Sequence, residues 1–143
     1  MAREQHQEHI FSPFFSNREL KCKCRKCEIA YVHKDLLKKL TVARKQANIP
    51  FVVNSGCRCP QHNKNVGGTA TSDHLVDGID WACVGIDIQC VSDKDRFTIV
   101  KALLEAGINR LGLHPSFIHA GIDERNPGNV IWFYANNPSA KKE

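Results

Sequence analysis

Two polar side chains stand inside apolar runs of this sequence: His119 in Phe117-Ile118-His119-Ala120 and Asp87 in Val84-Gly85-Ile86-Asp87-Ile88. Burying a lone carboxylate in such a run costs several kcal/mol unless a cation or a metal compensates it. A compensating charge is therefore expected. His74, in Ser72-Asp73-His74-Leu75 after a long polar loop, supplies a third donor. Two imidazoles and one carboxylate fill three positions of a tetrahedral zinc and leave the fourth open, the pattern of a catalytic rather than a closed structural site. Taken singly, each residue reads better as a satisfied core histidine or a hydrogen-bonded strand-end aspartate, and spacing alone is weak evidence for a metal.

A second group of metal-ligating residues is formed by cysteines. There are seven, Cys22, Cys24, Cys27, Cys57, Cys59, Cys83 and Cys90, an odd number that cannot all pair internally. The amino-terminal residues show no apolar leader, so the chain is expected to be made in the cytoplasm without a signal peptide and to keep its thiols reduced. Cys22, Cys24 and Cys27, joined by Cys59, could furnish four thiolates for a second, structural zinc. A zinc ribbon carries two CxxC knuckles and this chain has one, Cys24 to Cys27, so buried or loop thiols are the competing reading.

The elements that must position these residues are few. The 143 residues, 42% hydrophobic, suit one domain, placed at about 10–135, with polar termini at 1–9 and 136–143. From Lys34 to Asn48, Leu36, Leu37, Leu40, Ala43 and Ala47 recur at helical spacing, and Pro50 follows. Ser92 can cap a second helix whose apolar face is read as Phe97, Val100, Leu103 and Leu104, ended by Gly107. Short strands are expected at 51–53, 84–90, 111–113, 117–122 and 130–134. Residues 57–80 form a long polar loop, and loops of that length are usually functional. The fold class is α+β, a small antiparallel sheet with two main helices. No run approaches the roughly 20 apolar residues of a membrane span. The net charge of +5 is scattered, without the basic stripe or stacking aromatics of a nucleic-acid binder.

Ser55-Gly56-Cys57-Arg58-Cys59-Pro60-Gln61-His62-Asn63, Val66-Gly67-Gly68, Ser72-Asp73-His74-Leu75, Gly85-Ile86-Asp87-Ile88 and Phe117-Ile118-His119, in that order, resemble the motifs of the zinc D-alanyl-D-alanine carboxypeptidase family of peptidoglycan peptidases, whose fold is shared with the hedgehog signalling domain. The resemblance runs from about Phe11 to Tyr134. In size and in lacking a leader the chain is similar to compact phage endolysins of that family. The resemblance implies one zinc held by His74, Asp87 and His119, with Arg58 holding a substrate carboxylate or carbonyl. It also implies hydrolysis of a peptide bond in the peptidoglycan stem peptide, by a monomer acting on the cell wall after release. A hedgehog-like binding module with a non-catalytic metal is the alternative.

Two departures stand out. The family places its aspartate seven residues after the first histidine, where this chain has Trp81. Asp80 and Asp87 lie six and thirteen residues on, each preceded by Gly-Ile, and Asp87 is preferred because it leads at family-like distance into the following helix, making 76–84 an insertion. The second departure concerns the carboxylate that takes a proton from the attacking water and passes it to the leaving amine. Many compact relatives carry an aspartate two residues after the last histidine; here that residue is Gly121. Asp80, His114 and Asp123 are the remaining candidates, although Asp123 lies about 13 Å from His119 along an ideal strand at roughly 3.3 Å per residue.

Overall fold

Successive side chains on a strand point to opposite sides, and here that gives one sheet two unlike faces. The computed structural model describes residues 12–76 and 82–134; the expected polar termini, together with Asp80 and Trp81, lie outside the described residues. In chain order the elements are α1 (Asn17–Leu20), α2 (Lys34–Ala47), β1 (Val53–Ser55), α3 (Pro60–Asn65), β2 (Gly85–Gln89), α4 (Asp93–Glu105), β3 (Arg110–His114), β4 (Phe117–Gly121) and β5 (Val130–Phe133). The strands form one sheet in the order β1-β2-β4-β3-β5. The class is α+β, but the sheet is mixed rather than purely antiparallel. The pairs β1–β2, β2–β4 and β3–β4 are antiparallel, whereas β3–β5 is parallel. The reason lies in the 122–129 connection, which leaves β4 where Gly121 faces Arg110 and brings Val130 back beside that same Arg110.

Side chains two apart on a strand share a face. Ile86 and Ile88, Ile118 and Ala120, and Leu111 join the core with Leu36, Leu37, Leu40 and Ala43 of α2 and Ile99, Ala102 and Leu103 of α4. The alternate residues, Gly85 and Asp87, His119 and Gly121, Arg110 and Gly112, therefore share the opposite face.

The helix ends follow local chemistry. Ser92 accepts a hydrogen bond from Asp95 N, and Gly107 leaves α4 at φ +95°. The buried stripe of α4 differs from the expected one: Phe97 is 70% and Leu104 48% exposed, while Ile99, Ala102 and Leu103 are buried. Apolar residues occupy two adjacent stripes of this helix, and periodicity could not say which meets the sheet. The long polar loop contains α3, with Cys59 as its N-cap and Pro60 in its first turn. Six residues of PQHNKN are too short and polar to show an apolar period. Among the described residues, no helix is long and apolar enough to cross a membrane.

Candidate metal centre

Cross-strand register brings two of the three donors together, since Asp87 of β2 stands opposite His119 of β4. The third arrives from the segment before β2. Its backbone is pinned on both sides, by Arg58 N to His74 O at 2.8 Å and by Val84 N to Asp73 O at 2.8 Å. The result is a group of His74, Asp87 and His119 whose donor atoms lie within 4.8 Å of one another. All three are buried, at 0%, 1% and 3% exposure.

Hydrogen bonds fix which ring atoms are offered. His74 Nδ1 is 2.8 Å from Gly56 O. A carbonyl only accepts, so Nδ1 carries the proton and Nε2 presents a lone pair. His74 Nε2 lies 3.3 Å from Asp87 Oδ1. His119 Nδ1 lies 2.8 Å from the same oxygen, and its Nε2 lies 2.7 Å from Asp73 Oδ2. His74 Nε2 and Asp87 Oδ2 are buried without a hydrogen-bond partner. Orphaned buried atoms of this kind call for an explanation. A metal ion would satisfy both: zinc with bonds near 2.0–2.1 Å holds tetrahedral donors about 3.3 Å apart, which is the separation of His74 Nε2 from Asp87 Oδ1, while His119 Nδ1 stands closer to that oxygen at 2.8 Å. The donor set, two imidazoles and a carboxylate within 4.8 Å of one another, therefore fits such an ion.

Electrostatics favour the ligand forms of His74 and Asp87, whereas the two carboxylates beside His119 favour its protonated ring, a proton that a bound metal would have to displace. Burial lowers the pKa of His74 and keeps the ring neutral, against the opposing pull of Asp87. Burial would raise Asp87, but His74 and His119 outweigh it and hold the carboxyl well below the usual carboxylate range. For His119 burial acts downward, and the hydrogen bonds to Asp73 and Asp87 overcome it and raise the pKa.

Asp73 was not singled out from the sequence. At 4% exposure its carboxylate accepts from His119 Nε2 and, at 3.2 Å, from Arg110 Nε. The carboxyl would be raised by burial, but His119 and Arg110 hold it well below its ordinary value. Its place is made by two glycines facing each other across β2 and β4. A Cβ on Gly85 would stand 2.6 Å from Asp73 Cβ and 2.9 Å from His119 Nε2, and one on Gly121 would collide with Asp73 Oδ2. Asp73 thus occupies the space that a side chain at position 121 would need. The available signal was the coincidence of an acid beside His74 with a glycine at 121, which acquires meaning only once the two segments are known to meet.

The other expected residues are distributed around this group. Arg58 is fully buried, its Nη1 donating to Asn63 Oδ1 at 3.3 Å and its Nη2 to Ser55 Oγ at 3.4 Å; its charge also acts to lower the His74 pKa. Asp123, 1% exposed, turns toward Arg125, which donates to it through N, Nε and Nη2, and toward Asn126. Asn126 Nδ2 also reaches Asp73 Oδ1 at 3.4 Å, so Asp123 connects to His119 through two residues, Asn126 and Asp73. His114 stacks on Phe117 with ring centroids 4.4 Å apart and meets Tyr134 edge-on, at the hairpin end of β3. Trp132 lies against His119 at 5.6 Å, with the Arg110 guanidinium over its ring. Thr71, Asp73, Arg110, His119, Asn126 and Trp132 line a cleft of about 120 Å³ that reaches His119.

No curated protein matches this chain. The family model described as Peptidase M15 matches residues 13–121, a span that includes Arg58, Asp73, His74, Asp87 and His119. The chain belongs to the M15 zinc peptidase family, which includes D-Ala-D-Ala carboxypeptidases.

Proposed function

We propose that this protein is a peptidoglycan peptidase that hydrolyses a peptide bond of the stem peptide, using one zinc held by His74, Asp87 and His119. The observation that carries the reading is the convergence of three buried donors from separate segments, two of them with an atom that nothing else satisfies. When bound, zinc supplies Lewis-acid polarisation of a carbonyl and brings the pKa of water to about 7. The chain's own residues prepare the site. Gly56 O keeps His74 in the tautomer that offers Nε2. Asp87 remains anionic at the junction of both imidazoles. Asp73 is a positioning residue: by accepting from His119 Nε2 it turns Nδ1 toward Asp87, the carboxylate–histidine arrangement that orients metal-ligating imidazoles. Arg58, fully buried and set beside His74 by Ser55 and Asn63, holds a fixed positive charge next to the site, and its motif's resemblance to the family's is what assigns it to a carboxylate or carbonyl of the substrate.

The reading is tested by zinc content together with peptide release from purified cell wall. The parent protein should release stem-peptide fragments, whose new ends identify the bond cut. His119→Ala should lose both the ion of this site and the activity. Unchanged release by His119→Ala would overturn the site. A parent that holds zinc there yet releases nothing from several wall chemistries would favour the non-catalytic binding module.

A further inference from the structure

Three cysteines of the amino-terminal loop and Cys59, the N-cap of α3, form a group separate from His74, Asp87 and His119. The Sγ atoms of Cys22, Cys24, Cys27 and Cys59 all lie within 4.8 Å of one another. Cys24 Sγ is 3.5 Å from Cys27 Sγ and 4.0 Å from Cys59 Sγ. Disulfide sulfurs would be about 2.05 Å apart, and all seven cysteines are free thiols. Four thiolates around zinc, with bonds near 2.3 Å, place their sulfurs about 3.8 Å apart. The observed spacings bracket that value.

The backbone around the sulfurs is arranged for anions. Lys26 N donates to Cys24 Sγ at 3.3 Å, Cys59 N to Cys22 Sγ at 3.4 Å and His62 N to Cys59 Sγ at 3.4 Å. Arg25, between the CxxC cysteines, adopts φ 68°, which reverses the chain tightly enough for both thiols to face the same point. The loop is closed by Cys22 N to Ile29 O at 2.7 Å. Exposed Lys23, Arg25 and Lys26 alternate in sequence with Cys22, Cys24 and Cys27, positive charge that would offset the net negative charge of a tetrathiolate zinc.

We propose that Cys22, Cys24, Cys27 and Cys59 bind a second zinc ion as a closed structural tetrathiolate. Four protein ligands leave no open position, so this ion does not take part in hydrolysis. Soft thiolates select zinc over calcium or magnesium. The consequence is mechanical. Three ligands come from one loop, and the fourth, Cys59, adjoins Arg58, whose backbone pairs with both His74 O and Val76 N. The ion therefore clasps the 22–27 loop to the segment that carries Arg58 and supports His74.

The test uses the full chain, purified reduced. Metal analysis should give two zinc ions per chain in the parent. Cys24→Ser/Cys27→Ser should fall to one, while Cys90→Ser, a buried cysteine outside the group, should keep two. His119→Ala should keep the thiolate ion, so failure of the catalytic site and failure of this one are separable. Because the double variant could fail to fold, cobalt(II) is also loaded into the unsubstituted protein, where a tetrahedral tetrathiolate gives intense sulfur-to-cobalt charge-transfer bands. Cobalt binding without those bands would overturn the proposal, as would a single zinc in the reduced parent that His119→Ala abolishes. A Cys24–Cys27 disulfide in freshly purified protein would overturn it equally.

Discussion

Replacing Asp73 by asparagine keeps the side chain's size and one acceptor oxygen while removing its charge. In the folded protein that charge is spent on His119 Nε2 at 2.7 Å and Arg110 Nε at 3.2 Å, in surroundings where Asp73 is 4% and His119 3% exposed. A hydrogen bond to a charged group contributes about 1.5–3 kcal/mol, and one between neutral groups about 0.5–1.5 kcal/mol. The difference, about 1–2 kcal/mol, corresponds to roughly 5- to 30-fold in an equilibrium constant. Loss of a residue behind a metal-ligating histidine ordinarily costs about 10- to 100-fold in metal affinity, so the two ranges overlap near tenfold. Asp73→Asn should therefore bind zinc about tenfold more weakly at the His74–Asp87–His119 group. The assay is competition with a zinc chelator after the thiol cluster has been filled, so that the remaining equivalent reports this group. The metal-free Tm serves as the control. Unchanged affinity would refute the assignment of Asp73 as the group that orients His119. A Tm loss in the metal-free protein large enough to account for the weaker binding would refute it too, because Asp73 would then support the fold and not the ligand.

Gly121→Asp alone should be strongly destabilising, because its Cβ collides with Asp73 Oδ2 and sets two carboxylates together; Gly121→Asp/Asp73→Gly should recover zinc binding, and purely additive losses in that double-mutant cycle would show that the two positions do not share one space. Asp87→Asn should lose the zinc of this site, whereas Asp80→Asn should retain it, as read by metal content; the reverse result would mean that the 76–84 insertion is aligned wrongly. Arg58→Lys should lower kcat/KM by about 10- to 150-fold, the equivalent of about 1.5–3 kcal/mol for a lost charged hydrogen bond, and the loss should shrink on a substrate whose nearby carboxylate is amidated. Because Arg58 is fully buried and bonded to Ser55 and Asn63, the same change should also lower Tm, and equal kinetic losses on both substrates would assign Arg58 to support of the loop alone.

What could be read without coordinates was whatever local chemistry records. The helix from Lys34, the Ser92 cap, the Gly107 stop and the strands around Asp87 and His119 are written in periods of 3.6 and 2 and in residues with special backbone preferences. The same alternation marked Asp87 and His119 as polar residues among apolar neighbours, and ordered motifs added His74 and Arg58. Tertiary structure decided the rest, because the deciding quantity was distance between segments remote in sequence. Asp73 meets His119 across 46 positions, and Cys59 meets Cys24 across 35. Whether a glycine at 121 means an empty place or one filled by another strand's neighbour has no local signature. Nor does the parallel entry of β5, or the choice between two apolar stripes on α4. Each depends on which faces the packed chain brings together, a matter of burial and excluded volume that no single segment contains.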